Sequence, residues 1–284
     1  MIKGTTQLAG VLGWPVAHSR SPLIHNHWIE AQGLDAAYVP LPVAPENFAR
    51  AVRALPNLGF VGANVTVPHK RAAFDLADSL DPLATRLGAV NTLCFGADGL
   101  IVGRNTDVQG FIENLRAGAP AIDFAAGHTV VLGAGGAARA VVAGLLEAGC
   151  NRVRLLNRTE SRARSIAEEF TDDRIVVEGW ERRNAALEGA GLLVNATSLG
   201  MDGAASLDLS LEALPGGAVV NDLVYAPLET DLLCHAKAKG CVAVDGLGML
   251  LHQAVPAFEA WFGVRPQVTA ELRAMVVDDL EHGG

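Results

Sequence analysis

Residues 129–150, TVVLGAGGAARAVVAGLLEAGC, constrain the fold more than any other stretch of the chain. A short apolar run leads into Gly133-x-Gly135-x-x-Ala138, and apolar residues then recur at helical spacing. The first glycine permits a tight turn, the second lets a pyrophosphate approach the backbone, and the small third residue lets helix and strand pack closely. Because the strand-like VRLLN follows, this predicts a Rossmann-type dinucleotide site rather than a purely structural glycine turn. Its loop comprises Gly133, Ala134, Gly135, Gly136, Ala137 and Ala138.

The end of the predicted strand VRLLN indicates which dinucleotide binds. NAD sites usually carry an acidic residue there, about 20 residues beyond the glycine loop, which bonds the ribose 2′-hydroxyl. This chain has Asn157, Arg158 and Thr159 instead, and an arginine suits the 2′-phosphate of NADP through charge-assisted bonds. We therefore expect Arg158 and Arg162 to contact that phosphate. The other arginines nearby are expected to be ordinary solvated charges, namely Arg152, Arg154 and Arg164.

Length, charge and cysteine content limit the class of protein. With 284 residues and 50% hydrophobic content, the chain can bury large cores, and its length suggests two domains. A formal net charge of -9 argues against a general nucleic-acid binder. The four cysteines form no CxxC pair, so neither a disulfide framework nor a structural metal is expected, and a cytoplasmic location fits best. No signal-peptide pattern and no run of about 18 apolar residues occurs, which predicts a soluble, unprocessed chain without membrane partners.

Short apolar runs alternate with amphipathic stretches along the whole chain, the pattern of parallel sheets joined by helices. The predicted class is therefore α/β, with a Rossmann-type cofactor domain and a second α/β domain. A Gly, Ala and Pro-rich stretch at 116–128 suits a connection between the two, although the helix-like VQGFIENLR before it is expected to cross first. The segments 249–264 and 267–282 read as helices that we expect to pack on the first domain.

A lysine follows a strand-like segment in GANVTVPHKRAAF, residues 62–74. Because proline cannot continue a sheet ladder, we expect the strand to end at Val67 and a helix to begin near His69. Lys70 would then lie at the junction, where a solvated surface lysine is the simple interpretation. Taken singly, Asp107 is most simply a helix N-cap and Asn91 a turn residue.

Together these segments resemble the shikimate dehydrogenase family from about Leu8 to Pro266. The resemblance is specific because several independent motifs occur in the same order. The motifs are AHSRSP at 17–22, NVTVPHK at 64–70, GAVNTL at 88–93, NTD at 105–107, NRT at 157–159, NATSLGM at 195–201 and DGLGMLLHQA at 245–254.

The resemblance implies a catalytic dyad of Lys70 and Asp107. Reduction of the ketone of 3-dehydroshikimate delivers hydride to carbon while the nascent alkoxide receives a proton, so Lys70 would be the acid in reduction and the base in oxidation. The implied substrate residues are Ser19, Ser21 and Tyr225 for the carboxylate, and Asn64, Thr66, Asn91 and Gln253 for the ring hydroxyls. The nicotinamide side would be lined by Thr197, Ser198, Gly246 and Met249.

The family resemblance also implies the domain limits and the activity. A substrate domain would comprise residues 1–106 and the C-terminal helices from 246 to 284, and the cofactor domain residues 107–245. The implied activity is the reversible, NADP-dependent reduction of 3-dehydroshikimate on the route to chorismate and aromatic amino acids. The chain departs from common family patterns at Arg104, where an acidic residue is frequent, and at Val108, where glycine is frequent.

Two alternatives remain at this point. A quinate/shikimate dehydrogenase using NAD is the nearer one, although paralogues that accept quinate tend to alter the serine pair, and both Ser19 and Ser21 are present. A non-catalytic regulator that senses NADP would have little need to retain both Lys70 and Asp107. A small-molecule substrate is the expected partner, and a homodimer is left open.

Overall fold

A computed structural model of the chain describes residues 2–282. The chain divides into two compact units, of which one comprises the residues up to Thr106 together with those from Gln253 onward, and the other is Asp107–His252. Each unit contains its own six-stranded sheet, so the α/β class is confirmed. The second boundary falls inside a helix, between His252 and Gln253, which is later than the limit at 245 that the resemblance implied. Asp245 belongs to the second unit in both divisions, and its carbonyl accepts a 2.7 Å bond from Asn114 Nδ2 of the same unit.

The first unit has a mixed sheet in the order β2-β1-β3-β5-β6-β4. Its strands are β1 (Gln7–Gly13), β2 (Ala36–Pro42), β3 (Phe60–Val65), β4 (Ser79–Leu80), β5 (Thr92–Phe95) and β6 (Ile101–Arg104), and its helices before residue 107 are α1 (Ser21–Ala31), α2 (Phe48–Ala54), α3 (Lys70–Leu76) and α4 (Pro82–Leu87). Strand β1 pairs with β2 and β3 in parallel, whereas β5 pairs antiparallel with β3 and β6. The expectation of parallel sheets throughout is therefore wrong here, because β5 and β6 are joined by a short hairpin loop rather than by a crossover helix.

The strand before Lys70 ends two residues earlier than predicted, at Val65 rather than Val67. Thr66 N–H still donates to Leu12 O at 2.9 Å and Val67 O accepts from Trp14 N–H at 3.2 Å, but His69 N–H already turns back to Thr66 O at 2.9 Å. Helix α3 then begins at Lys70 with His69 as its N-cap. The regular ladder thus ends before Pro68, and the turn that contains the proline already begins at Thr66, two residues before it.

The second unit has an all-parallel sheet in the order β12-β11-β10-β7-β8-β9. Its strands are β7 (His128–Leu132), β8 (Val153–Leu156), β9 (Ile175–Glu178), β10 (Ala190–Asn195), β11 (Val219–Asp222) and β12 (Val242–Val244), and its helices are α5 (Asp107–Gly118), α6 (Gly136–Glu147), α7 (Glu160–Phe170) and α8 (Asp231–Ala238). Counted within the unit, this is the 3-2-1-4-5-6 order of the Rossmann fold, read from the opposite edge. The central β7 therefore lies at the switch point, where such folds bind dinucleotides.

Two helices end the chain, α9 (Leu247–Phe262) and α10 (Ala270–His282). Trp261 of α9 donates from Nε1 to Leu93 O at 3.0 Å, and Trp28 of α1 donates to Gln267 O at the same distance. Phe258 and Trp261 also surround the His25 ring of α1. These contacts attach the C-terminal helices to the core of the first unit. Within residues 2–282, no helix combines the length and the apolar character needed to cross a bilayer.

Candidate active site

The predicted cofactor residues follow the ends of parallel strands in the second unit. Gly133 follows β7, Asn157 follows β8, Thr197 follows β10, and Gly246 follows β12. Because the carboxyl ends of parallel strands lie at one edge of a sheet, the fold brings these residues to the same edge. Tyr225, predicted to bind the substrate, follows β11 at this edge too.

The glycine loop has the shape that a pyrophosphate needs. Gly133 has a φ of 111°, and a Cβ there would overlap the Ala196 carbonyl, so a side chain is excluded on both grounds. A Cβ at Gly135 or Gly136 would meet nothing, which leaves the backbone at the start of α6 open to a ligand. Ala138 is fully buried against the sheet, while Ala134 and Ala137 are more accessible. The loop therefore fits a dinucleotide phosphate held by backbone N–H groups and the helix N-terminus.

The predicted 2′-phosphate site is exposed and cationic. Asn157 Nδ2 donates to Thr159 O at 2.8 Å, which shapes the turn, and Thr159 is the N-cap of α7. Arg158 and Arg162 are exposed, and no ion pair or side-chain hydrogen bond engages either guanidinium in the described part of the chain. Both cations are therefore placed to accept an anion from outside the protein.

Arg154 is not the solvated charge that the sequence suggested. It lies on β8, is largely buried, and forms a two-pronged ion pair with Glu178 of β9, at 2.5 Å from Nε and 2.8 Å from Nη2. Its Nη1 also donates to Ala186 O at 3.0 Å. The Arg154 guanidinium is the largest cause of a lowered pKa at the Glu178 carboxyl. Arg164 pairs with Glu160 on the surface, as an ordinary i,i+4 pair.

A buried polar cluster supports the NATSLGM loop, where Thr197 and Ser198 were predicted to line the nicotinamide. Thr197 donates from both its backbone N–H and Oγ1 to Asn195 Oδ1, at 3.1 and 2.7 Å. Asn195 Nδ2 donates to Asp222 Oδ1 at 2.9 Å, and Thr230 Oγ1 donates to Asp222 Oδ2 at 2.7 Å. Burial raises the pKa of Asp222, and these bonds oppose the rise. Ser198 is exposed, and Met249 is half-buried in the first turn of α9.

The first unit links three of the predicted substrate residues through one buried network. Asn64 Nδ2 donates to Asn91 O at 3.3 Å, and Asn91 Nδ2 approaches Gln253 Oε1 at 3.4 Å. Two threonines complete the network. Asn91 Nδ2 donates to Thr106 Oγ1 at 2.9 Å, and Thr92 Oγ1 donates to Asn91 Oδ1 at 3.0 Å. Asn91 is thus a buried network residue rather than a simple turn residue.

The predicted carboxylate serines, Thr66 and the two dyad residues lie at or next to the ends of helices and strands. Ser21 opens α1, and its backbone N–H donates to Ser19 Oγ at 3.3 Å, so the two serines are adjacent. Thr66 and Lys70 are half-buried at the turn after β3. Asp107 is the first residue of α5 and belongs to the second unit, whereas Lys70 belongs to the first, so their pairing as a dyad stays a prediction.

Sequence reasoning missed the residues that hold the predicted ones in place. Tyr38 OH donates to Asn64 Oδ1 at 2.7 Å, and Thr92 and Thr106 join the network around Asn91. His25 stacks on the Tyr38 ring. The available signal was weak, because Tyr38 and Thr92 lie in apolar runs where their rings and methyl groups satisfy the strand pattern.

Comparison with known proteins agrees with this geometry. Family models match residues 11–93 as "Shikimate dehydrogenase substrate binding domain", 118–200 as "Shikimate / quinate 5-dehydrogenase" and 246–274 as "Shikimate 5'-dehydrogenase C-terminal domain". A protein of Paramagnetospirillum magneticum named "Shikimate dehydrogenase (NADP(+))" is 59% identical over 97% of this chain and 100% of its own length. This chain belongs to the shikimate dehydrogenase family. Other relatives, 50% to 55% identical, carry the same name.

Solved structures of shikimate dehydrogenase relatives share the fold. A quinate dehydrogenase from Corynebacterium glutamicum in complex with NAD is 32% identical, with a TM-score of 0.88 over 96% of this chain and 99% of that one. A shikimate dehydrogenase in complex with NADP+ is 36% identical, with a TM-score of 0.87 over 98% of this chain and 97% of that one. The fold thus occurs in complex with either dinucleotide among these relatives.

The two departures from the family pattern lie outside the polar network. Arg104 is exposed at the end of β6, and its backbone carbonyl accepts from Asn91 N–H at 3.1 Å. Val108 is 3% exposed in α5, where an apolar side chain is favoured.

Proposed function

We propose that this chain catalyses the reversible reduction of 3-dehydroshikimate to shikimate with NADPH, in the pathway that leads to chorismate and the aromatic amino acids. The observation that carries the proposal is the 59% identity to a protein named "Shikimate dehydrogenase (NADP(+))", which extends over that protein's whole length. The glycine loop, the free arginines and the buried amide network support it, because each suits one part of the two ligands.

Substrate recognition is assigned to uncharged groups, which all belong to the first unit except Tyr225 of the second. Amides and hydroxyls both donate and accept, so Asn64, Thr66, Asn91 and Gln253 suit the hydroxyls of a polyol ring. The adjacent hydroxyls of Ser19 and Ser21, together with Tyr225, are assigned to the carboxylate. Their adjacency, with Ser21 N–H bonded to Ser19 Oγ, supports binding of one small anionic group.

Proton transfer is assigned to Lys70, with Asp107 orienting the ammonium group. When bound, NADPH supplies the hydride. Lys70 would donate a proton to the oxygen of the reacting carbon during reduction and accept it during oxidation. His69, the residue before the lysine, is held in place by two contacts. Its buried ring stacks on Phe48, and its Nε2 lies 2.7 Å from Val43 O. These contacts restrict the backbone next to Lys70 and so support its assignment.

Cofactor binding is assigned to the carboxyl edge of the second sheet. The backbone of Gly133–Ala138 would hold the pyrophosphate at the start of α6. Asn157, Thr159 and the two arginines would surround the 2′-phosphate, and Thr197, Ser198, Gly246 and Met249 would line the nicotinamide. The absence of an acidic side chain at 157–159 supports NADP over NAD.

The NAD-dependent quinate alternative is not favoured. Relatives between 50% and 59% identical are named as NADP-dependent shikimate dehydrogenases, whereas the quinate dehydrogenase with NAD is 32% identical.

The test offers shikimate or quinate with NADP or NAD to the purified protein and follows formation of reduced nicotinamide. We expect shikimate with NADP to give the highest kcat/KM. A higher value for quinate with NAD would contradict the proposal, and NADP binding without any turnover would favour a regulator.

We further propose a cytoplasmic setting and no role in nucleic-acid binding. All four cysteines are free thiols, and the net charge of -9 opposes binding to phosphate backbones. Assembly as a homodimer, the option that the sequence leaves open, is tested by light scattering of the purified protein.

A further inference from the structure

Tyr38 connects two elements that carry predicted substrate residues, α1 and β3. It lies on β2, is 2% exposed, and donates its hydroxyl hydrogen to Asn64 Oδ1 at 2.7 Å. Tyr38 is not one of the predicted substrate residues, and no sequence motif singled it out. Its burial and its one strong side-chain bond raise the question of what it does.

The Tyr38 backbone and ring are held by two consecutive residues of α1. Asn26 pairs with both backbone groups of Tyr38, since its Oδ1 accepts from Tyr38 N–H at 3.0 Å and its Nδ2 donates to Tyr38 O at 2.8 Å. His25 stacks flat on the phenol ring, with ring centroids 4.2 Å apart and an interplanar angle of 6°. The helix that begins at Ser21 therefore fixes where the Tyr38 hydroxyl points.

The Asn64 amide has only one orientation that satisfies its neighbours. A backbone carbonyl can only accept, so the bond to Asn91 O requires that Nδ2 face that side. Oδ1 must then face Tyr38, and the phenol must donate to it. Burial raises the pKa of Tyr38 well above its usual value, which keeps the phenol protonated and able to donate, although a contact from Ser21 opposes part of the rise.

The orientation of the Asn91 amide is fixed in the same way, by which of its neighbours donate and which accept. Thr106 N–H donates to Asn91 Oδ1 at 3.0 Å, so Asn91 Nδ2 must face Thr106 Oγ1 and Gln253 Oε1. Backbone groups thus set the orientation of the Asn64 and Asn91 amides, and Tyr38 is the donor to the remaining oxygen of Asn64. Without it, the buried Asn64 oxygen would lack this donor, and the amide would lose a restraint on its orientation.

We propose that Tyr38 is a positioning residue for substrate binding, whose hydroxyl holds the Asn64 amide in the orientation that meets a ring hydroxyl of shikimate. This inference rests on the proposed function and extends it to a residue that does not itself touch the substrate. In this proposal, His25 and Asn26 of α1 fix the ring and backbone of Tyr38.

The test is the kinetics of Tyr38→Phe, which deletes one oxygen and keeps the ring stacking. We expect the KM for shikimate to rise roughly three- to tenfold, the net worth of one neutral hydrogen bond. We expect kcat and the KM for NADP to stay within about twofold, because the lost interaction stabilises ground state and transition state alike. An unchanged KM for shikimate, or a lower kcat alone, would overturn the proposal.

A double-mutant cycle identifies the route of the effect. In the Asn64→Ala background, Tyr38→Phe should change the KM for shikimate by less than about twofold, because the group it acts through is gone. An equal rise in both backgrounds would overturn the proposal. A wild-type protein that does not oxidise shikimate at all would instead contradict the proposed function, so the two failures are distinguishable.

Two further variants separate positioning from stability. Trp28→Phe alters the same aromatic cluster, where Trp28 packs edge-on against His25, but leaves the Tyr38 hydroxyl intact. It should lower Tm with an unchanged KM for shikimate, and a rise in KM equal to that of Tyr38→Phe would overturn the proposal.

If Tyr38→Phe does not fold, 3-fluorotyrosine can be incorporated into Tyr225→Phe, where Tyr38 is the only tyrosine left. Fluorination changes the donor strength of the phenol, so an unchanged KM relative to unfluorinated Tyr225→Phe would equally overturn the proposal.

Discussion

Lys70 tests the proposed chemistry at the level of a single side chain. Lys70→Ala should lower kcat by about 10²–10⁴, the usual cost of removing a general acid or base, while the Kd for shikimate changes modestly. Steady-state kinetics and calorimetric titration of shikimate measure the two quantities. Lys237→Ala is the control, because Lys237 pairs with Glu229 on the surface of the second unit. Near wild-type turnover in Lys70→Ala would remove this lysine from the mechanism.

Arg158 tests the choice of cofactor. Arg158→Ala should weaken NADP binding by about 1.5–3 kcal/mol and change NAD binding little, because only NADP presents the 2′-phosphate. The dissociation constants of both cofactors measure the effect, and Arg152→Ala, another exposed arginine of the same cluster, is the matched control. Because Arg158 is exposed, the preference for NADP should also shrink as salt rises. Equal losses for both cofactors would refute the assignment.

His25 makes stability depend on pH. It is fully buried among aromatic rings, and neither ring nitrogen has a hydrogen-bond partner of normal geometry in the described chain. Burial lowers the pKa of His25 from 6.5 to about 3, and the nearby Asn64 amide offsets only part of this shift. The unfolded chain therefore takes up a proton below pH 6.5 that the folded chain refuses, so this group costs stability as pH falls from 6.5 toward 3.

The predicted size of this effect is about 2 kcal/mol between pH 7 and pH 5, from denaturant unfolding at the two pH values. His25→Phe should reduce the loss of stability by that amount, because phenylalanine keeps the stacking and cannot titrate. Trp28→Phe should lower stability at both pH values and leave the pH dependence as in the wild type. If His25→Phe has the wild-type pH dependence, His25 is not the titrating group.

At the scale of elements, helix α8 and the loop after β10 share one buried residue. Thr230 is the N-cap of α8, where Oγ1 accepts from Leu233 N–H at 3.4 Å, and the same hydroxyl donates to the buried Asp222. Through Asp222 and Asn195, this cap is connected to Thr197 in the predicted nicotinamide loop. The stability of the helix end and the geometry of the loop are therefore coupled.

Thr230→Val should cost about 1–3 kcal/mol of unfolding free energy, because it removes the cap and leaves a buried carboxylate without one of its donors. Thr269→Val is the matched control. Thr269 caps α10 by accepting from Leu272 N–H at 3.1 Å, but it is exposed, and no carboxylate within residues 2–282 bonds to its hydroxyl. We therefore expect a loss at the lower end of the capping range, about 0.5–1 kcal/mol. Denaturant unfolding compares the two variants. Equal losses would show that the Asp222 contact adds nothing.

At the scale of the whole molecule, each unit has its own apolar core. One contains Leu12, Val65 and Leu93 of the first sheet, and the other contains Val130, Leu193 and Val220 of the second. Ligands assigned to different units should therefore stabilise different parts of the chain.

Amide hydrogen exchange measures which unit each ligand stabilises. Saturating NADP should slow exchange in peptides covering 133–138 and 157–162, because the ligand must dissociate before these loops open. Shikimate without cofactor should instead protect peptides covering 19–26 and 64–70. Protection of the first unit alone by NADP would contradict the assignment of the cofactor to the second sheet.

The sequence by itself determined the α/β class, the strand–glycine loop–helix unit around Gly133 and membership of the family, whereas the phosphate site at Arg158 stays a prediction. Each of these depends on residues that are neighbours along the chain, such as a glycine beside an apolar run, so local spacing carries the information. The strand ends were predicted less well, as at Val65, because the last ladder bond depends on the neighbouring strand as well as on Pro68.

Only the tertiary structure decided which polar groups meet. Arg154 and Glu178 are 24 residues apart, and Tyr38 and Asn64 are 26 apart, so no local pattern distinguishes them from solvated or core residues. The antiparallel pairing of β5 also followed from the short connection to β6 and from the free edge of β3, a choice that apolar runs do not encode. The physical reason is the same in each case: a hydrogen bond or ion pair between distant residues depends on how strands and helices pack, and one chain segment alone does not specify its partner.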